Sequence, residues 1–594
     1  MSRREAWLSA GLVFLVALAV RAWAATLVSF PRPEDAAYYV DVARNLVTGQ
    51  GLTSDAIWSY GTPPFAFPRP AFEVWLPLAT FLDAIPIAIA GGPLGAFRAA
   101  QIASILVGSA VPVLGWRLAA DVADSRGLGP RRARWIALGT GLAAAVYLPL
   151  VLFSVQPDST LPFAALVLAA VLVIPRVLRL VAIAEVPPAP PRLRFSRRKA
   201  GRGSTAPAAP AVAPLAPSPL RLDRPLVRAL VGLGVVLGIA ALARNEAIWL
   251  ALAWAFLAWR ATGPAGGFRR RVRAALPLIG IPAVVSIAVY APWALRDWSV
   301  FGNPLPGQAL SNALFLNGRD VFAWAEPPTL DRYLGAGIGT LVGLRITGFL
   351  HNLGSVLLFL GVPISALGLL ALPWTARGRV LAPLVTYSVI AFLVATLVFP
   401  VATTWGTFLH AAGAIHVLIL ISALLALDVV IDRLRRLRAW TRPVSWLGAT
   451  LAVVASLLMT LVLLPGDASL GDDLAQRYAE LPAALATAGA PLPTDGTPVI
   501  TDFPIWLATE TGTRAIALPD EVPADVLDLA SRFNAKLLIV DANDEGQWPE
   551  ILDQEEPGSE CFQLVPLQVS DIGPLGSVVV FRITCYSPAV QGTP

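Results

Sequence analysis

Charge is what this chain has least of. Only 14% of its 594 residues are Asp, Glu, Lys or Arg, where a soluble domain carries about a quarter. With 56% apolar residues and a mean hydropathy of +0.66, an ordinary soluble globular protein is excluded. Lysine is nearly absent, and Lys199 and Lys536 are the only two. Histidine is scarce, three in all, and no histidine cluster has metal-ligand spacing. No internal repeat of the kind that marks many transporters is found. No clear cleavage site follows MSRREAW, so the first apolar run is expected to remain as an anchor.

What is there is a series of apolar runs. Runs of roughly 17–25 residues can cross a hydrocarbon core of about 30 Å. Eleven spanning helices are expected, over 6–27, 97–118, 135–153, 160–181, 226–243, 246–260, 274–294, 347–371, 380–400, 409–428 and 443–464. The stretch 72–91 is apolar too, but Pro77, Asp83 and Pro86 interrupt it. It reads as a helix lying on, or dipping into, the outer face. The fold class is therefore an α-helical polytopic membrane protein with its N-terminus inside and its C-terminus outside.

The charges support that orientation. A pI near 9.6 could suit nucleic acid, but the basic residues sit in short segments between apolar runs. With the N-terminus inside, 30 of the 45 Lys and Arg residues fall on the cytoplasmic side. If 72–91 crossed, RGLGPRRAR and the later basic loops would lie outside, against the positive-inside bias. The first outer loop is then 28–96. The Pro/Ala-rich basic segment 185–222 reads as a disordered cytoplasmic loop, a plain linker or a contact for anionic lipid.

The composition changes after Leu464. The transmembrane domain is read as 1–465, and 466–594 as a small extracytoplasmic α/β domain of alternating short strands and helices. Cys561 and Cys585 both fall in it. If strands 561–569 and 577–585 form a hairpin centred on Gly573, the two cysteines lie opposite each other, at disulfide distance. An outside compartment permits the bond; two buried free thiols are the other reading.

The chemistry gathers on the outer face. PEDAAYYVDVARNLVTGQGL, from Pro33, reads as a short helix over 34–48. Glu34 and Asp35 suit its positive end, and Gly49 and Gly51 stop it. Asp35, Tyr39, Val42 and Leu46 share one face. The plain reading is that both acids only satisfy the helix terminus. Further outer positions are Asp158 in SVQPDST, Arg244 and Glu246 in ARNEA, and Trp293, Arg296 and Asp297 in PWALRDW. Arg21 lies towards the outer end of the first helix, where a charge is either functional or snorkels to the interface. His410 follows TTWGTFL; a lone histidine there reads as structural before catalytic, and it stands among the candidates for substrate contact. Carboxylates can take a proton from a hydroxyl, arginines can hold a phosphate, and aromatics such as Tyr38, Tyr39 and Trp293 can stack on sugars.

These residues resemble a family. PEDAAYYVDVARNLVTGQGL, the interrupted RPAFEVWLPLATFL, FRAAQIASILVGSAVPVLGWRLA and PWALRDWSVFGNP are similar to segments of membrane glycosyltransferases of the GT-C fold. The likeness is to the branch of protein O-mannosyltransferases, the lipid A aminoarabinose transferase and rhizobial lipopolysaccharide sugar transferases, and it covers roughly residues 1–440. The resemblance implies transfer of a sugar from a polyprenyl-phosphate donor to a hydroxyl of a lipid, glycan or protein acceptor on the outer face of the cell membrane, usually with inversion. It implies that Asp35, with Glu34 beside it, is the catalytic acid of the first outer loop, and that Asp158 is the second acid. Some relatives of the wider fold use a divalent metal; Asp35 and Asp158 are the residues that could contribute to such a site here, and the sequence leaves the metal open. Relatives often hold the donor phosphate with lysine. This chain departs there, and Arg21, Arg244 or Arg296 would have to replace it.

Three other functions compete. A transporter of lipid-linked sugars would need charges near the bilayer midplane and an internal repeat. An anchor that only displays the C-terminal domain would not need eleven helices. A polysaccharide polymerase or ligase would carry its catalytic residues in a large late loop, whereas here the early acidic loop is the stronger feature.

Overall fold

The computed structural model describes residues 2–184, 222–263, 267–306, 311–357, 362–441, 444–543, 546–567 and 573–585. The expected cytoplasmic loop, 185–222, lies outside the described residues except for Leu222.

The first elements are α1 (Arg3–Leu27), α2 (Glu34–Val47), strands β1 (Thr53–Ser54), β2 (Ala56–Ile57) and β3 (Arg69–Pro70), then α3 (Leu78–Leu94) and α4 (Ala96–Ser125). There follow α5 (Pro130–Val146), α6 (Leu148–Val155), α7 (Thr160–Ala184), α8 (Arg224–Ala243), α9 (Ala247–Ala261) and α10 (Phe268–Phe301). The later helices are α11 (Leu330–Gly335), α12 (Gly337–Leu357), α13 (Ile364–Thr375), α14 (Ala382–Leu397), α15 (Thr407–Ala411), α16 (Gly413–Leu437) and α17 (Leu447–Thr487). The last part holds β4 (Val499–Thr501), α18 (Pro504–Thr511), β5 (Ala515–Ala517), α19 (Pro523–Phe533), β6 (Leu537–Asp541), β7 (Phe562–Leu564) and β8 (Val578–Ile583).

Among the described residues, seven helices are long and apolar enough to cross a membrane: α1, α4, α7, α8, α10, α16 and α17. The pair α5 and α6, bent by 48°, makes an eighth. Shorter apolar helices are α3, α9, α13 and α14. Large apolar side chains stay exposed along them, among them Leu12, Leu106, Ile287 and Leu458. Surface of that kind suits lipid rather than water, and the chain is a multi-pass membrane protein.

Two expected spans are not single straight helices. The run 135–153 breaks at Tyr147, beside Pro149. The freed carbonyls there need donors, because water does not supply them inside a bilayer. Arg21 supplies one: it is fully buried and donates to the carbonyl of Ala145 (2.9 Å), four residues before Pro149, and also to the Leu150 carbonyl (3.1 Å) and Ser154 Oγ (2.8 Å). Gly108 makes this possible, since a Cβ there would lie 2.2 Å from Ser154 Oγ. The run 347–371 is also divided, into α12 and α13, the second beginning after Pro363.

α3 folds back along the start of α4 after Gly95, whose φ of +81° glycine adopts without strain. Its Ile87 packs with Ala99 and Val40, and its Asp83 lies beside Ser104 and Val107. It therefore stays at the end of the bundle that carries α2. Some of the basic residues between the apolar runs meet one another or the next helix: Arg126, after α4, donates to the Arg377 carbonyl before α14, and Arg132 of α5 pairs with Asp428 of α16 at 2.5 Å.

α17 runs unbroken for 41 residues, through Pro465 and Gly466. The composition change after Leu464 thus falls inside a helix, which carries the chain directly into the terminal sheet domain. Among the described residues that sheet has six strands, in the order β2-β5-β4-β6-β8-β7. β2, β5, β4 and β6 are parallel, and β8 and β7 close the far edge antiparallel. Its first strand comes from the first loop, not from the C-terminal part: Ala56 pairs with Ala515 and Ile57 with Ile516.

Cys561 and Cys585 form a disulfide, with Cα atoms 5.0 Å apart. The register differs by one from the expected pairing. Phe562 faces Ile583, which puts Cys561 level with Thr584. Both cysteines lie just beyond the regular ladder, Cys561 in a 3₁₀ turn and Cys585 after β8 has ended. There the backbone is free to bring them together.

Candidate active site

The helix read from PEDAAYYVDVARN is present as α2. Nine of its 14 residues are buried. α3, α4 and α18 pack around it, so its polar side is covered as well as its apolar one. Pro33 precedes it, and no side chain caps it. Glu34 and Asp35 therefore stand against open N–H groups, where the helix dipole favours negative charge.

Asp35 is partly exposed, with 22% of its side chain accessible. Its Oδ2 lies 3.4 Å from His410 Nε2. The other ring nitrogen, Nδ1, lies 3.4 Å from Asp158 Oδ2 and 2.7 Å from Thr160 Oγ1. His410 thus sits between the acid of the first loop and the acid before α7. Asp158 is fully buried and held from the other side: Thr160 donates to it from both its backbone N–H (2.8 Å) and its hydroxyl (2.9 Å). Burial works against charge on the imidazole, but Asp35 and Asp158 outweigh it and raise the His410 pKa above its ordinary value.

A cation stands beside them. Arg244 leaves the end of α8 and donates to both oxygens of Glu246, at 3.1 and 2.9 Å. Its third donor reaches Ser159 Oγ at 2.9 Å. Ser159 lies between Asp158 and Thr160, so one short turn ties Arg244 to His410. The buried Tyr39 lies within the electrostatic reach of Arg244, Asp35 and Asp158, and burial pushes its hydroxyl well above the usual range.

The remaining candidates fall into other groups. Trp293 is 7% exposed and lies edge-on to Phe72 (5.3 Å) and Phe81 (6.1 Å). Arg296 covers its ring at 5.0 Å and pairs with Asp297 at 2.9 Å. Tyr38 joins this aromatic group. Its hydroxyl accepts from the Phe72 N–H at 2.6 Å and fixes Phe72 at φ +77°, a strained setting for a bulky residue. Arg21 serves the α5–α6 break. Glu34 turns away from His410: its carboxylate accepts from Trp58 Nε1 and from the backbone of Ile505.

Sequence reasoning did not single out Ser159, Thr160 or Asp83 for the site. The run PDST was the available signal, an acid followed by two hydroxyls at a helix start. Asp83 was noticed only as an interruption. It is 3% exposed and lines a small cavity with Ser104 and Asp158. One of its oxygens has no hydrogen-bond partner among the described residues. Burial, and then Asp158, push its carboxyl well up.

Asp35 and Asp158 do not fit one shared metal ion as they stand, because the His410 ring lies between them with a nitrogen towards each. Among the described residues, no group of three or more His, Cys, Asp or Glu side chains is disposed to hold an ion.

No protein-family model matches the chain, and no curated protein matches it. Solved structures do. The oligosaccharyltransferase of Archaeoglobus fulgidus, crystallised with zinc and sulfate, aligns over 97% of this chain and 73% of its own, at 14% identity and a TM-score of 0.49. The same archaeal enzyme, AglB, with an inhibitory peptide and a dolichol-phosphate, aligns over 95% and 73% at 12% identity and a TM-score of 0.47. ArnT from Cupriavidus metallidurans bound to undecaprenyl phosphate aligns over 99% of both chains, at 13% identity and a TM-score of 0.49.

Proposed function

We propose that the chain is an integral-membrane glycosyltransferase of the GT-C type. It moves a sugar from a polyprenyl-phosphate donor to a hydroxyl of a lipid, glycan or protein acceptor. The site works on the extracytoplasmic face, and the sheet domain lies on that face too. The observation that carries this reading is the placement of Asp35. A partly exposed carboxylate stands at a helix N-terminus, with His410 on it and Arg244 in the same cluster.

The chemistry follows from that placement. Asp35 takes the proton of the acceptor hydroxyl as the oxygen attacks the anomeric carbon. The bond from that carbon to the donor phosphate oxygen breaks, and the lipid phosphate leaves with the electron pair. One displacement by one attacking oxygen inverts the anomeric centre. Arg244 offsets charge on the departing phosphate, a term that is often the largest in such catalysis. Arg296, beside Trp293, offers a second cation for the donor. His410, held by Asp158 through Thr160, fixes Asp35 in position, as the third member of a catalytic array does.

The test is a panel of radiolabelled polyprenyl-phosphate hexoses and pentoses, given to the purified protein with native membrane extract. Transfer from one donor, with an inverted anomeric centre in the product, is the expected result. Uptake of lipid-linked sugar into vesicles without transfer would replace this reading with transport.

A further inference from the structure

The sheet domain and the first loop are tied together on both sides of α2. Before the helix, Ser29 bonds Asp472, Arg32 pairs with Asp467 at 2.6 Å, and Trp506 Nε1 donates to the Pro31 carbonyl at 3.0 Å. After it, β2 lies parallel to β5, and Ala515 N–H donates to the Asp55 carbonyl at 3.0 Å. Both anchors belong to residues 467–517, more than 400 positions along the chain.

Glu34 is the link inside the helix itself. Its Oε2 accepts from Trp58 Nε1 at 2.9 Å, and its Oε1 accepts from the Ile505 N–H at 3.2 Å. Ile505 lies in the first turn of α18, which has no side-chain cap from its own segment. A carboxylate suits that place, because the first turn of a helix leaves unpaired N–H groups at its positive end. So one side chain belongs to the first turn of α2 and caps the first turn of α18.

We propose that Glu34 is a positioning residue: it fastens the start of α2 to α18 and to Trp58, so that the sheet domain sets where the neighbouring Asp35 stands. The domain is then part of the active-site frame. This rests on the reading of Asp35 as the base, and it makes Glu34 neither a second base nor a metal ligand. Both of its oxygens are already accepting hydrogen bonds.

The test compares full-length wild type with Glu34→Ala, Glu34→Gln, Trp58→Phe and Asp35→Asn in detergent. Hydrogen exchange across residues 34–48 is measured without substrate. Rates are measured with whichever polyprenyl-phosphate sugar of the panel wild type uses. Glu34→Ala is expected to speed exchange in α2 about tenfold or more and to lower kcat by about 10–100-fold. Donor KM and the pH midpoint of the rate should stay in place. Glu34→Gln keeps an acceptor oxygen for Ile505 and should recover most of the loss, and Trp58→Phe should show a smaller loss of the same kind. A shifted or abolished pH midpoint in Glu34→Ala would overturn the proposal in favour of a base. Unchanged exchange and kcat would overturn it outright. So would a drop in thermal stability with full activity in the folded fraction, since the role would then be structural only. If Asp35→Asn kept full activity, the reading of the site would fail, while exchange would still report the tie.

Discussion

Nε2 of His410 lies 3.4 Å from Oδ2 of Asp35, while Nδ1 of the same ring faces Asp158 at the same distance. The imidazole is thus held between two carboxylates, and this sets the sign of its effect on stability. Its folded pKa is raised above the ordinary value near 6.5. A raised histidine stabilises fully below its unfolded value, and that contribution disappears as pH rises through the folded value. The gap in thermal midpoint between wild type and His410→Gln should therefore be widest near pH 6 and narrow as pH rises. A gap that stays constant or widens to pH 9 would show that the ring is not charged in the folded state.

Arg244 makes a forked pair with Glu246 and a third bond to Ser159. Lysine keeps the charge but not the fork. Arg244→Gln should lower kcat/KM by roughly 10²–10³, the usual cost of removing a charge-stabilising donor. Arg244→Lys should fall between the two. If Lys and Gln lose activity equally, the fork rather than the charge carries the function.

The bond between Cys561 and Cys585 spans 24 positions. Closing a loop of that size limits the unfolded chain and is worth about 3 kcal/mol. Cys585→Ser should lower the unfolding midpoint of the sheet domain, and a reductant should do the same to wild type but not to the variant. Equal sensitivity of both to the reductant would contradict the bond.

The spans were legible because hydrophobicity and length are local properties. Seven long helices and one bent pair match eight of the eleven expected runs, although α17 continues far past Leu464; among the described residues, 246–260, 347–371 and 380–400 hold no single helix of that length and apolarity. The α5–α6 bend was not legible, because it depends on Arg21 arriving from another helix to satisfy a freed carbonyl. Proline also misled in both directions: Pro363 opens a new helix, whereas α17 runs straight through Pro465. The burial of α2 was hidden too. α3, α4 and α18 cover it, and α18 lies almost 500 residues later in the chain. Two-residue β2 gives no signal of its own, since its pairing is with β5.

Within the site, the acids and arginines could be picked out, because charge is rare in this chain and therefore visible. Their grouping could not. Asp35 opens α2, Asp158 precedes α7, Arg244 follows α8 and His410 lies in α15, and only the tertiary fold brings them together. Glu34 and Asp35 look equivalent in sequence, yet one caps α18 and the other meets His410.

The most direct measurement is the turnover of wild type against Asp35→Asn, with the same polyprenyl-phosphate sugar and the same thermal midpoint confirmed for both. Asn keeps the size and hydrogen-bonding shape but cannot take a proton. A loss of about 10²–10⁴-fold in kcat, with donor affinity retained, is the predicted result. Equal turnover in the folded variant would contradict the account and move the base elsewhere, with Asp158 the next acid to test.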